Sequence, residues 1–123
     1  MKRIALALLV GCKAPVGDSG DAACGRVPPL SYNNYGEGFI GLYCVGCHSS
    51  LVPEARREGA PDGVNFDSYA GIVAYGNRIY ARAVPDDSTM PPGGGPSSDE
   101  RALLGEWLTC TVEPEQAQLG ETK

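Results

Sequence analysis

With 123 residues and a formal net charge of −5, the chain has room for one domain with tails. Seventeen glycines and ten prolines predict much loop and few long elements, so the domain needs a staple beyond its own small apolar core. The acidic balance speaks against nucleic acid as a partner and for docking on basic protein surfaces.

Met1-Lys2-Arg3 is a basic start and Ile4 to Val10 an apolar run. At seven residues this run falls short of the roughly 20 that span a bilayer, but it suits a short secretory leader. Leu9-Val10-Gly11-Cys12 resembles a bacterial lipobox. That resemblance implies cleavage after residue 11 and lipidation of the Cys12 thiol and the new amino terminus, which gives firm anchoring. Loss of Lys2 and Arg3 then takes the charge to −7. The expected location is a bacterial membrane, on its periplasmic or outer-surface side; an ordinary signal peptide is the alternative. Residues 12–33 read as a flexible tether, with Pro15, Gly17, Gly20, Gly25, Pro28 and Pro29 and little periodicity. Cys24 lies in it. Exported cysteines are usually paired, and its free counterpart is Cys110, so a Cys24–Cys110 disulfide is expected.

Asn33 or Asn34 is placed to cap a helix running to about His48. Its end carries Cys44-Val45-Gly46-Cys47-His48. C-x-x-C-H is the spacing used to attach a c-type haem, because i, i+3 and i+4 share one helix face. On such a face Cys44 and Cys47 can each reach a vinyl group, and His48 can bind iron from the same side. His48 is the single histidine of the chain. The alternatives are a redox dithiol and a zinc site completed by Cys24 and Cys110. The helical run before the motif and the chain-breaking Ser49, Ser50 and Pro53 after it weigh against a thioredoxin-type dithiol.

Residues 49–65 read as a loop, with a short helix over 53–58 and a turn at Pro61-Asp62-Gly63. Asp67 or Ser68 starts the next helix, whose buried face is Tyr69, Ile72, Val73 and Gly76. Gly76 is expected to end it and Asn77 to cap another, striped by Ile79, Tyr80, Ala83 and Val84 and stopped by Pro85. Then comes Met90-Pro91-Pro92-Gly93. Methionine normally fills cores, so a methionine in a Pro/Gly loop is unusual. Pro91 and Pro92 stiffen the backbone after it. Ser97 and Glu100 form a capping box for a last helix to Cys110, with Leu103, Leu104, Trp107 and Leu108 on one face. Residues 111–123 read as a frayed polar tail.

C-x-x-C-H followed by M-P-P-G, with helical segments between, resembles the small class I c-type cytochromes of bacteria. The resemblance implies an all-α domain over residues 34–110, three to five short helices wrapped around one covalent haem c. His48 and Met90 become the axial ligands, and Pro91 and Pro92 line the haem pocket. Gly36 and Ile40 match the positions where the first helix crosses the last, and Trp107 packs in that crossing and at the haem edge. A backbone carbonyl between Gly59 and Gly63 accepts the free N–H of His48. Apart from the resemblance, Arg78 and Arg82 are each able to reach a propionate, since Arg suits carboxylates, and a solvated arginine is the alternative reading of either. His/Met ligation raises the reduction potential, which suits a one-electron carrier rather than an enzyme. The expected partners are redox proteins and the membrane, with the cytochrome itself a monomer. The rival reading is a haem-based sensor or ligand-binding lipoprotein in which Met90 is displaced. A peroxidase-like enzyme fits less well, since it usually needs a second haem.

Overall fold

The computed structural model describes residues 24–120. The expected leader, Cys12 and the chain to residue 23 lie outside the described residues, as do 121–123. Among the described residues the fold is all-α, with no strand. None of its helices is long and apolar enough to cross a membrane.

Ser31 opens the first element. Its hydroxyl accepts from the Asn34 N–H while the Asn34 side chain accepts from the Ser31 N–H, so Asn34 completes the capping box instead of being the cap. A π-helical turn, Tyr32–Gly36, leads into helix α1, Glu37–Tyr43. The Ile40 carbonyl then accepts from both Cys44 and Val45, and the helix ends there. The C-x-x-C-H stretch therefore lies just beyond α1 rather than within it. The His48 N–H still donates to the Cys44 carbonyl at 2.9 Å, which keeps one helix-like turn through the motif.

Ser68 caps helix α2, Tyr69–Ala74, by accepting from the Gly71 N–H. Helix α3, Gly76–Ala83, follows after a break at Tyr75, one residue earlier than expected. Gly76 falls within α3 and packs closely on Val112: a Cβ there would sit 2.8 Å from Val112 Cγ1. Ser97 and Glu100 form the capping box of helix α4, Ser98–Trp107. A π-helical turn, Leu108–Val112, joins it to helix α5, Glu113–Gly120. Helical dihedrals at Leu108 and Glu113 make residues 98–120 one continuous rod.

Two expectations are corrected here. The chain beyond Cys110 is not a frayed tail up to Gly120: Val112 is wholly buried, the Thr111 hydroxyl donates to the Leu30 carbonyl, and Gln116 donates to the Ala74 carbonyl. Residues 24–33 are not a free tether. Cys24 is disulfide-bonded to Cys110, Arg26 pairs with Glu106, and Leu30 packs on the core. The disulfide, the Arg26–Glu106 pair and the Thr111–Leu30 bond join residues 80 to 86 positions apart, which local composition does not reveal.

The core is built from Phe39 and Ile40 of α1, Ile72 and Val73 of α2, Ile79 and Ala83 of α3, and Leu104, Trp107, Leu108 and Val112 of the rod, with Phe66 from the loop. Full burial of side chains this size contributes roughly 1.5–3 kcal/mol each. Tyr80, read as part of the α3 stripe, is instead 43 % exposed. At Gly36 the first helical element touches the rod so closely that the indole of Trp107 occupies the space a side chain would need.

Candidate functional site

One end of α1, the loop 57–66, α3 and the Met90 loop surround a cavity of about 320 Å³. That volume lies at the lower end of small-ligand pockets. Its wall carries Cys44, Cys47, His48 and Met90 together, with Pro91 and Pro92 beside them. Phe39, Phe66, Ile79 and Ala83 supply apolar surface. Arg78 and Arg82, both exposed, stand at the same wall. Trp107 does not. It is fully buried in the crossing with Gly36 and is no part of the cavity lining, which corrects its expected place at a cofactor edge.

His48 is held by three contacts. Its Nδ1 lies 3.0 Å from the Val64 carbonyl. A carbonyl only accepts, so Nδ1 carries a proton, and in the neutral imidazole Nε2 is then the nitrogen with the free lone pair. The Phe66 ring stacks on the imidazole with centroids 4.8 Å apart. The His48 carbonyl in turn accepts from the Phe66 N–H at 2.8 Å, which locks that ring in place. The acceptor is Val64, just past the Gly59–Gly63 range expected from sequence. Gly63 has φ +84°, and this turn brings the next carbonyl round to the imidazole.

Met90 is pinned through its backbone. Its N–H donates to the Arg82 carbonyl at 2.9 Å, and its carbonyl accepts from the Arg101 guanidinium at 3.1 Å. The Met90–Pro91 peptide is cis. With both main-chain groups engaged elsewhere, the thioether is what this residue offers the cavity.

Cys44 and Cys47 are free thiols. Burial pushes the Cys44 thiol up to about 12, so little thiolate is present at neutral pH. A redox dithiol needs the opposite shift. Cys24 and Cys110 are bonded to each other, with Cα atoms 5.4 Å apart, and so do not complete a thiolate set with Cys44 and Cys47. Among the described residues no group of three or more His, Cys, Asp or Glu is placed to hold a metal ion.

Two unpaired thiols, an imidazole with its metal-binding nitrogen free, and a thioether from a separate loop share one largely apolar cavity. These residues fit a covalently attached haem. Sequence reading missed Val64, Phe66, Arg57 and Arg101. For Arg101 a signal existed, since positions 101, 104 and 108 share the apolar face of the rod. For Arg57, beside Arg56 in a loop, there was none. No protein-family model, no curated protein and no solved structure matches this chain.

Proposed function

We propose that the protein is a monohaem c-type cytochrome with His/Met ligation that carries single electrons between redox proteins, tethered to a bacterial membrane through lipidated Cys12. The observation that carries this reading is the convergence of Cys44, Cys47, His48 and Met90, from two segments of the chain, on one cavity. Cys44 and Cys47 would hold haem c through thioethers, and His48 Nε2 and the Met90 sulfur would bind its iron. Bound in this way, haem c supplies Fe(III)/Fe(II) one-electron chemistry.

The chain's own residues do the rest. Val64 fixes the His48 tautomer and ring orientation, as an outer-shell acceptor does for a metal-bound histidine. Phe39, Phe66 and Ile79 keep water from one side of the cavity, which favours transfer of electrons over ligand exchange. Arg78 and Arg82 at the wall suit two carboxylates, because guanidinium groups match carboxylate geometry. The acidic surface favours brief encounters with basic partners.

The test is the absorption spectrum, oxidised and reduced, of protein made with a c-type maturation system. A sharp reduced α-band together with the weak far-red band of sulfur-ligated ferric haem is the expected result. Attached haem without the far-red band, joined by carbon monoxide binding to the reduced protein, moves the assignment to the sensor reading. No attached haem refutes the proposal.

A further inference from the structure

Arginine is rarely buried without a partner of opposite charge, because the desolvation penalty is several kcal/mol per ion. This domain buries two, Arg57 at 3 % and Arg101 at 7 % exposure. Neither is paired with a carboxylate: the ion pair among the described residues is Arg26–Glu106. The exposed Asp67 lies within electrostatic reach of Arg57, yet it bonds the Ser50 N–H at 2.8 Å instead.

Their partners are oxygens on the segments that surround His48 and Met90. Arg57 Nη1 donates to the carbonyl of Ser49, the residue after His48. Its Nη2 donates to the Pro61 carbonyl at 2.8 Å, Asn65 Oδ1 at 2.9 Å and the Val64 carbonyl at 3.3 Å, and its Nε donates to Ala60. One guanidinium thus sets the spacing between His48 and its acceptor. Arg101 Nη1 donates to the Ala83 carbonyl at the end of α3, to Ser88 Oγ and to the Met90 carbonyl. One guanidinium thus sets the spacing between α3 and Met90.

We infer that Arg57 and Arg101 are positioning residues for the two axial side chains, and that as buried cations they favour the reduced state of the bound haem. The inference rests on the cytochrome reading above. Two effects act in the same direction. Oxidation adds a positive charge at the iron, and fixed cations in a poorly screened interior oppose it. The Val64 carbonyl also accepts from both Arg57 and His48, so it draws less on the imidazole N–H and leaves His48 a weaker donor to iron.

The experiment is a spectroelectrochemical titration of the haem-loaded chain and its variants Arg57→Met, Arg101→Met, Arg57→Lys and Arg101→Lys. Each Met variant is expected to shift the ferric/ferrous balance about tenfold toward ferric, a potential lower by about 59 mV for one electron. Each Lys variant keeps the charge and recovers at least half of that shift. Arg101→Met additionally weakens the far-red band, whereas Arg57→Met leaves it in place. A purely structural role would lower the melting temperature of the Met variants and leave their potentials at the wild-type value, which overturns the inference. If the Met variants do not fold, the guanidinium N–H signals of the wild-type chain decide. Slowly exchanging, separately resolved signals from Arg57 and Arg101 support the clamps, and rapid exchange at both overturns them. A wild-type chain without attached haem defeats the cytochrome reading itself. Unchanged potentials in variants that retain wild-type spectra defeat only the role of the arginines.

Discussion

Gly36→Ala is the sharpest test of how the helices cross. Gly36 has φ −60° and ψ −44°, ordinary helical values that alanine adopts freely, so backbone strain plays no part. On propensity alone the substitution stabilises a helix by up to about 1 kcal/mol. Space decides the other way. A Cβ at position 36 would lie 2.2 Å from Trp107 Cζ2, 2.5 Å from Cη2 and 2.7 Å from Cε2, whereas ordinary contacts begin at 3.4 Å. The indole or the whole first turn must move by more than about 1 Å. Trp107 is wholly buried, and packed interiors absorb such shifts poorly. Overpacking of this kind costs about 3 kcal/mol, the upper end of its usual range, so the net loss is about 2 kcal/mol after the propensity gain. For a domain of this size that lowers the melting temperature by roughly 8–16 °C. The assay is thermal and denaturant unfolding of wild type, Gly36→Ala, Trp107→Leu and the double variant. Because the clash needs the indole, the double-mutant cycle is expected to show a coupling of at least about 1 kcal/mol. A Gly36→Ala protein as stable as wild type, or more so, refutes the close crossing.

Removing the covalent link between Cys24 and Cys110 is expected to cost up to about 4–5 kcal/mol by chain-entropy reasoning, since 86 positions separate them. Denaturant midpoints of the Cys24→Ser/Cys110→Ser variant measure this, and a change under about 1 kcal/mol contradicts it. Met90→Ala is expected to keep the reduced α-band of attached haem, lose the far-red band and admit carbon monoxide; an intact far-red band places the sulfur ligand elsewhere. Three carboxylates are held below their usual range: Glu100 by the Ser97 N–H and the Tyr43 and Ser97 hydroxyls, Glu106 by Arg26, and Asp67 by the Ser49 hydroxyl and Ser50 N–H. The unfolded chain binds protons there first, so the stability these groups contribute is present above the ordinary carboxylate pKa and is lost as pH falls through the lowered folded values. The melting temperature is therefore expected to stay level from neutral pH down to about 5 and to decline below it, with a shallower decline in Glu100→Gln. An acid limb of equal slope in that variant removes Glu100 from the account.

Features that depend on neighbours a few residues away were legible in the chain itself. The Ser97/Glu100 box marks a helix start, and of the stripe Leu103, Leu104, Trp107 and Leu108 all but the half-buried Leu103 are buried. The Cys24–Cys110 pairing was legible by counting the chain's five cysteines and setting aside Cys12, Cys44 and Cys47. What the tertiary structure decided depends on groups that carry no periodic or motif signal. The acceptor of His48 is a backbone carbonyl, and every residue has one, so only the folded turn through Gly63 selects Val64. Arg57, in a polar loop, reads as solvated, yet the fold buries it because loop oxygens converge on its guanidinium; for Arg101 the register points to burial, and only the fold supplies the Ala83, Ser88 and Met90 oxygens that satisfy it. Val112 and Thr111 read as tail, yet they hold the rod against α3 and Leu30 through contacts that exist only once the chain's two ends are joined. Short-range patterns are written in the sequence because hydrogen-bond and side-chain periods are local. Long-range acceptors and buried charges depend on which loops meet, and that is settled by packing.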